Sequence, residues 1–322
     1  KMKLAGVTRI INEPQNYPHV AYSSIRFSAE EFPTIPSRVL RIRGKKVRTP
    51  AAQSSITAEY TISGNTVTIQ KTNHGLIVGD HIFFDATQGA GVDGGYFLTS
   101  IAADGNSFEF VDADYSGGAV STSSCTYRPN PQIDRETGRM KYPNTFIFNG
   151  NLKNNRKWTS DPAWILYDLL VTNSERTSEQ QYGCDLPASA IDIQNFYAIS
   201  KYCSELVDDG TGNGTTEPRF SLNVNIRTQR EALELINDIC NVMRAVPFYG
   251  EGSIKISQDA PKDITDPDKL EFEYVFNNAN VVDGEFVYSG SSIKTRSNVI
   301  NVSYLDLETQ EIDYVTEKDF DL

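Results

Sequence analysis

The sequence predicts a strand-dominated α+β protein with several domains, and three observations support this class. The chain has 322 residues, about twice the length of a typical single domain. Stretches in which apolar and polar residues alternate outnumber the stretches with helical spacing. Between Pro50 and Pro129 the composition shifts toward Gly, Thr, Ser and Asp. Such a shift between proline-marked joints predicts a small all-β domain inserted at an exposed loop of a larger one.

We call residues 51–127 the insert, and within it we expect roughly four or five short strands. Apolar and polar residues alternate over 66–70 and over 107–110, each time after a turn signal with glycine and asparagine. Two further apolar runs, 82–84 and 96–98, lie between them. Short strands with close turns predict a small antiparallel barrel or sandwich that leaves one face wet.

Three helices are predicted, all of them after residue 160. Asp161 is placed to cap the first helix, with Pro162 at the first helical position, where its missing N–H costs nothing. The other two helices begin with pairs typical of a capping box, Ser189 with Asp192 and Thr228 with Glu231. Their apolar stripes run through residues 193–206 and 232–246.

Further strands are predicted around the third helix. Strict alternation of Phe220, Leu222, Val224 and Ile226 predicts a strand before it. After it we expect strands at 254–256, 286–288, 299–304 and 312–315. Because the last strands need pairing partners that a helix cannot supply, we expect them to complete an earlier barrel.

The charge of the chain is acidic overall but uneven. The formal net charge is −12, yet residues 1–50 hold ten Lys or Arg against three Asp or Glu, while the insert holds one against eight. A net acidic chain is not expected to bind nucleic acid nonspecifically, since that affinity comes from neutralising phosphates. No apolar run approaches the ~18 residues of a membrane span, and no signal-peptide pattern is found. The four cysteines lack a CxxC pair, which predicts reduced thiols.

Few residues point to chemistry. His74 and His81 lie near Asp80 and Asp85, but the segment HGLIVGD is more typical of a glycine turn before a strand than of a metal site. His19 has no nucleophile-elbow serine or cysteine to accompany it. We therefore predict no catalytic, cofactor-binding or metal-binding residue, and no enzyme.

Two acidic features have alternative interpretations. The loop Asp208–Gly214 resembles a calcium loop, but an EF-hand register starting at Asp209 puts its twelfth ligand at Phe220, which cannot coordinate calcium. A glycine loop between a helix and a strand is favoured. The neighbours Glu30 and Glu31 have the residue type of glycosidase carboxylates, yet a chain with 42 acidic residues holds such pairs by chance.

A basic strand is the clearest candidate contact surface. Its six cations lie within eleven residues and are interleaved with apolar side chains: Arg38, Arg41, Arg43, Lys45, Lys46 and Arg48. Either they form a solvated strand face that protects an edge, or they contact an acidic partner, for instance another copy of this chain. In the insert, Tyr96 in the segment GVDGGYF is the candidate for an exposed aromatic contact.

The order of several segments resembles the hub region of the tail tip attachment (host-specificity) protein J family of lambda-like long-tailed phages. The matching stretches are RVLRIRGKKVRT (38–49), PNTFIFNG (143–150), WTSDPAWILYDLLVTN (158–173), YAISKYCSELVDDG (197–210), EPRFSLNVNI (217–226), the segment 228–246 and VVDGEFVYSGSSIKTR (281–296) followed by NVINVSYLD. The insert interrupts this pattern, and its segment TNHGLIVGD is similar to small β-domains that decorate tail proteins.

The resemblance implies β-barrel hub domains like those of trimeric phage baseplate hubs. On this basis 1–50 and 128–160 are expected to form an N-terminal β hub region, 161–258 a helix-bearing α+β hub domain, and 259–322 strands that complete a hub barrel.

The implied role is that of a structural virion protein at the phage tail tip, made in the host cytoplasm. A homotrimeric ring would close the tail tube, anchor tip and fibre components, and take part in host attachment and DNA ejection. Its partners would be itself, other tail tip and distal tail proteins and the tape measure protein, with DNA passing through the lumen without specific binding. The family's receptor-binding segments follow its hub, and they are not expected within a chain ending at Leu322, so host-surface contact is expected through the insert or through such missing segments. The alternative is that the insert is a carbohydrate- or host-surface-binding module.

Overall fold

The computed structural model describes residues 34, 43–91, 93–172, 183–210, 212–226, 231–260, 275–290, 297–305 and 311–318. Contacts divide the chain into two compact units, Lys1–Ala260 and Pro261–Leu322. Strands dominate the described residues, which confirms the predicted strand-rich class. None of the helices in these ranges is both long and apolar enough to cross a membrane.

Helices and strands are each numbered in chain order. The helices are α1 (Pro162–Val171), α2 (Ile193–Cys203) and α3 (Ala232–Val242), with 3₁₀ turns at Ala188–Ala190 and Val282–Gly284. The strands are β1 (Lys46–Val47), β2 (Ile56–Ser63), β3 (Thr66–Gln70), β4 (His81–Ala86), β5 (Gly94–Phe97), β6 (Ser100–Ile101), β7 (Ser107–Val111), β8 (Val120–Pro129), β9 (Gln132–Ile133), β10 (Met140–Lys141), β11 (Lys157–Trp158), β12 (Leu206–Asp208), β13 (Thr216–Pro218), β14 (Ala245–Gly250), β15 (Ser253–Gln258), β16 (Val299–Leu305) and β17 (Ile312–Lys318).

The largest sheet has seven antiparallel strands in the order β5-β4-β8-β2-β3-β7-β6. Alternation along these strands buries one face in an apolar core of its own: Ala58, Tyr60, Ile62, Val67, Ile69, Leu76, Ile82, Phe84, Leu98, Phe108, Phe110, Cys125 and Tyr127. The sheet curls, so that Tyr96 of the edge strand β5 stacks on Phe110 of β7 with ring centroids 4.3 Å apart. All of these core residues lie in the predicted insert.

A second core lies around α1 and α2 and takes its residues from outside the insert. Trp164, Leu166 and Phe196 are fully buried in it, and Phe146 and Phe148 pack on the same cluster. The Asp161 carboxylate accepts the Trp164 N–H at 3.0 Å, and Pro162 follows as the first helical residue, as predicted. Burial of such aromatic and aliphatic side chains is the main source of stability here.

Several element predictions need correction. Helix α2 is capped by Asp192 itself, because its carboxylate accepts the N–H groups of Gln194 and Asn195, whereas Ser189 lies in the preceding 3₁₀ turn. Residues 220–226 have no regular secondary structure and pair with no strand among the described residues, and Leu222 donates its N–H to the Ser160 carbonyl at 2.7 Å. The backbone of Leu222 is therefore hydrogen-bonded to Ser160 rather than to a neighbouring strand.

The helical stripe predicted to reach Val246 also ends early. Helix α3 stops at Val242, and Val246 belongs to the hairpin β14–β15. The backbone turns at Arg244, whose φ of 51° lies in the left-handed region and cannot continue a helix. All four cysteines are free thiols, and three of them are buried, as predicted.

The unit Pro261–Leu322 contains a hairpin of β16 and β17, paired from Val299↔Lys318 to Leu305↔Ile312. Both strands were predicted. The strand expected at Phe286–Tyr288 is not formed, since residues 285–290 are irregular. That these strands complete a hub barrel stays a prediction, as do the proposed domain boundaries.

Candidate interaction surface

The described part of the basic strand exposes its cations. Arg43, Lys45, Lys46 and Arg48 are exposed, while Val47 between them is buried in the second core. Period-two alternation in a strand places neighbouring side chains on opposite faces, so the apolar Val47 anchors the strand and Lys46 and Arg48 point away. Arg38 and Arg41 lie outside the described residues.

A second basic segment pairs with this strand. The antiparallel register of β1 and β11 places Val47 opposite Lys157, and the Lys153 N–H donates to the Thr49 carbonyl at 2.8 Å. The Arg43 guanidinium lies 5.6 Å from the centre of the Trp158 ring, close enough for a cation–π contact. The fold therefore concentrates positive charge from two distant sequence segments in a chain that is acidic overall.

Lys153 is unusual among these cations because it is half-buried. Its Nζ donates to the Pro131 carbonyl, and burial, together with the nearby Lys157 charge, lowers the pKa of Lys153 to about 8. Arg156, in contrast, forms an ion pair with the buried carboxylate of Asp168 on α1.

Tyr96 is not the exposed aromatic residue that the sequence predicts. It is partly buried on the core face of β5, where it stacks on Phe110, and burial raises its pKa to about 12. The curl of the sheet is the reason, because it turns this edge strand toward β7. The exposed aromatic of β5 is the next residue, Phe97, with 56% of its surface accessible.

Phe97 belongs to a cluster on the outer face of the sheet. The His81 ring lies edge-on to Phe97 and Phe83, with centroids 4.7 and 5.8 Å apart, and the Arg128 guanidinium lies 5.6 Å from the centre of Phe83. This cluster was not predicted from the sequence. The signal for it was available, because alternation along β4 puts His81 and Phe83 opposite the buried Ile82 and Phe84.

His81 also contacts the segment that leaves the sheet. Its Nδ1 lies 3.1 Å from Asn130 Nδ2 and 3.4 Å from Gln132 Nε2. Burial, and then the charges of Lys153 and Lys157, lower the pKa of His81 to about 4, so the ring is neutral at physiological pH.

Of the four residues in the candidate metal pattern, His74 and Asp80 build a turn, whereas His81 and Asp85 lie on β4. The Leu76 N–H donates to His74 Nδ1 at 3.0 Å, and Asp80 Oδ2 accepts the N–H groups of Ile77 and Asn144 at 3.0 and 3.1 Å. Among the described residues no three His, Cys, Asp or Glu side chains gather as metal ligands would.

The same turn joins the seven-stranded sheet to the segment PNTFIFNG. Besides the Asp80 contact, Asn144 Nδ2 donates to the Gly75 carbonyl at 2.8 Å and Thr145 Oγ1 donates to the His74 carbonyl at 3.2 Å. We call these contacts between the turn 74–80 and residues 144–145 the seam. The insert is therefore held through several hydrogen bonds as well as through its two chain connections.

A buried polar cluster lies under α1 and α2. Asp161 Oδ2 accepts the hydroxyls of Ser200 and Ser204 at 2.7 and 3.1 Å, and Ser200 lies 2.7 Å from the hydroxyl of Tyr142. Burial raises the pKa of Asp161 to about 6. These hydrogen bonds make the cluster a structural junction between α1 and α2.

The Asp208–Gly214 segment closes the hairpin β12–β13. The Gly210 N–H donates to Asp208 Oδ1 at 2.8 Å, and Thr215 donates its hydroxyl to Asp209. These carboxylates are engaged in holding the loop, which favours the glycine-loop interpretation. His19, Glu30 and Glu31 lie outside the described residues.

Sequence comparison relates the chain to phage tail proteins. The tip attachment protein J of Escherichia phage SECphi27 is 39% identical over 153 residues, which is 47% of this chain and 11% of that protein. The tip attachment protein J of Escherichia phage SECphi4 is 30% identical over 149 residues, 46% of this chain and 12% of that protein. The matches thus span only about a ninth of these curated relatives, and no protein-family model matches the chain.

Among solved structures, the phage phi92 endosialidase shows a likeness that covers 26% of this chain and 12% of that one. Its sequence identity is 24% and its TM-score is 0.20, so it carries no argument. Over nearly half of its length, this chain is therefore similar to two proteins that are both named tip attachment protein J.

Proposed function

We propose that this chain is a structural part of a phage tail tip, where three copies form a hub ring that closes the tail tube. The ring would anchor tip and fibre components and take part in host attachment and DNA ejection. The observation that carries the proposal is the 39% identity to a tip attachment protein J over 153 residues. The proposed partners are the other two copies, neighbouring tail tip and distal tail proteins, and the tape measure protein.

The electrostatics of the chain suit such a ring. DNA that leaves through a lumen must slide, and a wall that neutralised its phosphates would hold it by releasing counterions. A chain with a net charge of −12 supplies little such affinity. A closed ring also needs a head-to-tail interface between two different surfaces of the same protein. The exposed cations of the β1–β11 region and the acidic remainder of the chain have the complementary charges that favour this arrangement.

Electron cryomicroscopy of the phage particle tests the proposal. We expect three copies of the chain around the lumen at the tail tip, with density for the seven-stranded sheet fixed relative to the ring. A chain found elsewhere in the particle, or present there as a monomer, would contradict the hub assignment.

A second candidate function rests on a shallow depression in the outer face of the sheet. It is lined by Thr57, Glu59, Gln70, Lys71, Asn106 and Ser124, whose hydroxyl, amide and charged groups suit a hydroxyl-rich ligand. A glycan array probed with the whole chain tests it, with Glu59→Ala as the variant and Glu217→Ala on β13 as the control. Specific glycan binding that Glu59→Ala abolishes and Glu217→Ala retains would support a carbohydrate-binding insert. An array on which the chain binds no glycan would contradict this function.

A further inference from the structure

The exposed cluster around Phe97 is continuous with the half-buried cation of the second basic segment. Lys153 donates to the carbonyl of Pro131, and the neighbouring side chains of Asn130 and Gln132 contact His81. The charges of Lys153 and Lys157 also contribute, after burial, to the lowered pKa of His81. We define the aromatic–cation patch as His81, Phe83, Phe97, Arg128, Lys153 and Lys157.

The absence of a side chain at Gly95 makes room for two rings of the patch. A Cβ at this position would lie 2.8 Å from Cε1 of His81 and 3.3 Å from a ring carbon of Phe83. Gly95 faces Phe83 across the β4–β5 ladder, so the missing side chain is what lets both rings lie over β5. The imidazole of His81 and the phenyl ring of Phe83 thereby pack closely against β5 on the outward face of the sheet.

The charges of the patch are not balanced locally. Among the described residues no carboxylate forms an ion pair with Arg128, Lys153 or Lys157, whereas other cations of the chain do have such partners. Burying a cation without a paired anion is unfavourable even where it donates to a carbonyl, as Lys153 does to Pro131, and the lowered pKa of Lys153 reflects that cost. A carboxylate supplied from outside would relieve it.

Aromatic residues and arginine are the types enriched in the centres of protein interfaces, where a few such side chains contribute most of the binding free energy. Phe97 and Phe83 are 56% and 37% exposed, on a face where alternation otherwise predicts polar residues. The patch joins residues of the seven-stranded sheet to Lys153 and Lys157, which come from outside it. Its geometry therefore depends on the rigid attachment of the insert.

We propose that the aromatic–cation patch is one half of a head-to-tail interface and that it takes up an acidic surface of a second copy of this chain. The second copy fits because residues 51–127 hold eight Asp or Glu against one lysine, and residues 128–322 hold 31 against 19 Lys or Arg. A closed ring requires two unlike surfaces, and this patch supplies the cationic one. The inference rests on the proposed ring and names the surface that would form it.

Sedimentation velocity on the 322-residue chain at about 0.05 M salt tests the interface, because charge complementarity is strongest at low ionic strength. We expect trimers of the wild-type chain and about tenfold weaker association or more for the double variant Phe97→Ser/Lys157→Glu. The matched control is Phe248→Ser/Lys201→Glu, which makes the same changes at exposed positions outside the patch and should leave association unchanged.

The outcomes separate the two proposals. A wild-type chain that stays monomeric would contradict the proposed ring itself. Trimers that persist in Phe97→Ser/Lys157→Glu would leave the ring standing and overturn the patch as its interface. Retention of heparin or duplex DNA by the patch, without self-association, would overturn the assignment to a second copy.

A photo-cross-linker at position 97 supplies an independent readout that does not depend on affinity. When light and isotope-labelled chains are mixed, we expect cross-links between them that map to acidic segments after residue 50. Cross-links confined to one chain would overturn the proposal even if the protein is a trimer.

Discussion

At the scale of single residues, Asp161 joins two helices with one carboxylate. One oxygen caps α1 by accepting the Trp164 N–H, and the other accepts the hydroxyls of Ser200 and Ser204 from the end of α2. The Tyr142 hydroxyl extends this network, since it accepts the Trp164 Nε1–H at 2.8 Å. The sequence predicts the cap, whereas the contact with α2 depends on how the two helices pack.

We expect Asp161 to make stability depend on pH. Its pKa is about 6 in the folded chain against an ordinary value of 3.8, because burial disfavours the charged form. The stabilising contribution of this carboxyl is therefore fully present below about pH 4 and is lost as the pH rises through about 6. This difference between the folded and unfolded pKa of Asp161 corresponds to about 3 kcal/mol in the free energy of unfolding.

Urea denaturation at pH 4.5 and 7.5 measures this effect in the wild type and in Asp161→Asn, which can still cap the helix. We expect the free energy of unfolding of the wild type to fall more between these two pH values than that of Asp161→Asn. The exposed Asp208→Asn is the control and should behave like the wild type. Equal pH dependence in wild type and Asp161→Asn would contradict the argument.

At the scale of elements, the turn at residues 74–80 is a docking device for the seven-stranded sheet. Gly75 has a φ of +63°, and a Cβ there would overlap the γ-methyl group of Thr145. The glycine thus serves both the turn conformation and the close approach of the two segments. This explains why the turn carries a glycine after His74, without any need for a metal.

We expect Gly75→Ala to be more destabilising than a glycine substitution that adds only backbone strain. The matched control is Gly64→Ala, because Gly64 has nearly the same φ of +64° and open space around its Cβ position. Gly64→Ala should cost about 1 kcal/mol of unfolding free energy, and Gly75→Ala about 1–3 kcal/mol more because of the overlap.

The double variant Gly75→Ala/Thr145→Ser isolates the contact. Serine keeps the hydroxyl that donates to the His74 carbonyl but removes the γ-methyl group, so it should recover most of the excess cost. Chemical denaturation of all variants gives the double-mutant cycle. No recovery in the double variant would show that Thr145 does not limit the space at Gly75.

The sequence predicted elements well where local signals and burial agree. Strands β3, β4 and β7 and helix α1 were all located from alternation or from a cap, because their apolar residues also face a core. Residues 220–226 show the opposite case. Their alternation is strict, yet the backbone of Leu222 bonds to Ser160 and no neighbouring strand completes a ladder among the described residues.

At the scale of the whole molecule, charge separation is the dominant property. The net charge of −12 coexists with exposed cations on the β1–β11 region, and only the fold shows that Lys153 and Lys157 join those of residues 43–48. A contact surface of this kind depends on salt, because exposed charges are screened over about 8 Å at physiological ionic strength.

We expect the 322-residue chain not to bind a 30-base-pair DNA duplex at about 0.15 M salt, because its overall charge opposes phosphate binding. Fluorescence anisotropy with labelled DNA checks this. Lys46→Glu/Arg48→Glu is the control, since it removes two exposed cations and should give the same flat titration. Wild-type binding that weakens with salt and disappears in this control would contradict the expectation.

The sequence alone determined the strand-rich class, the composition change at the insert, the helix cap at Asp161, the exposed basic residues and the resemblance to the protein J family. These features are local, because they depend on alternation, capping chemistry and residue order. Only the tertiary structure decided that Tyr96 turns inward, that the turn at 74–80 docks on residues 144–145, and that His81, Phe97 and Lys153 share one surface. Each of these depends on sheet curl and on contacts between residues far apart in the chain, and such contacts leave no periodic signal in the sequence.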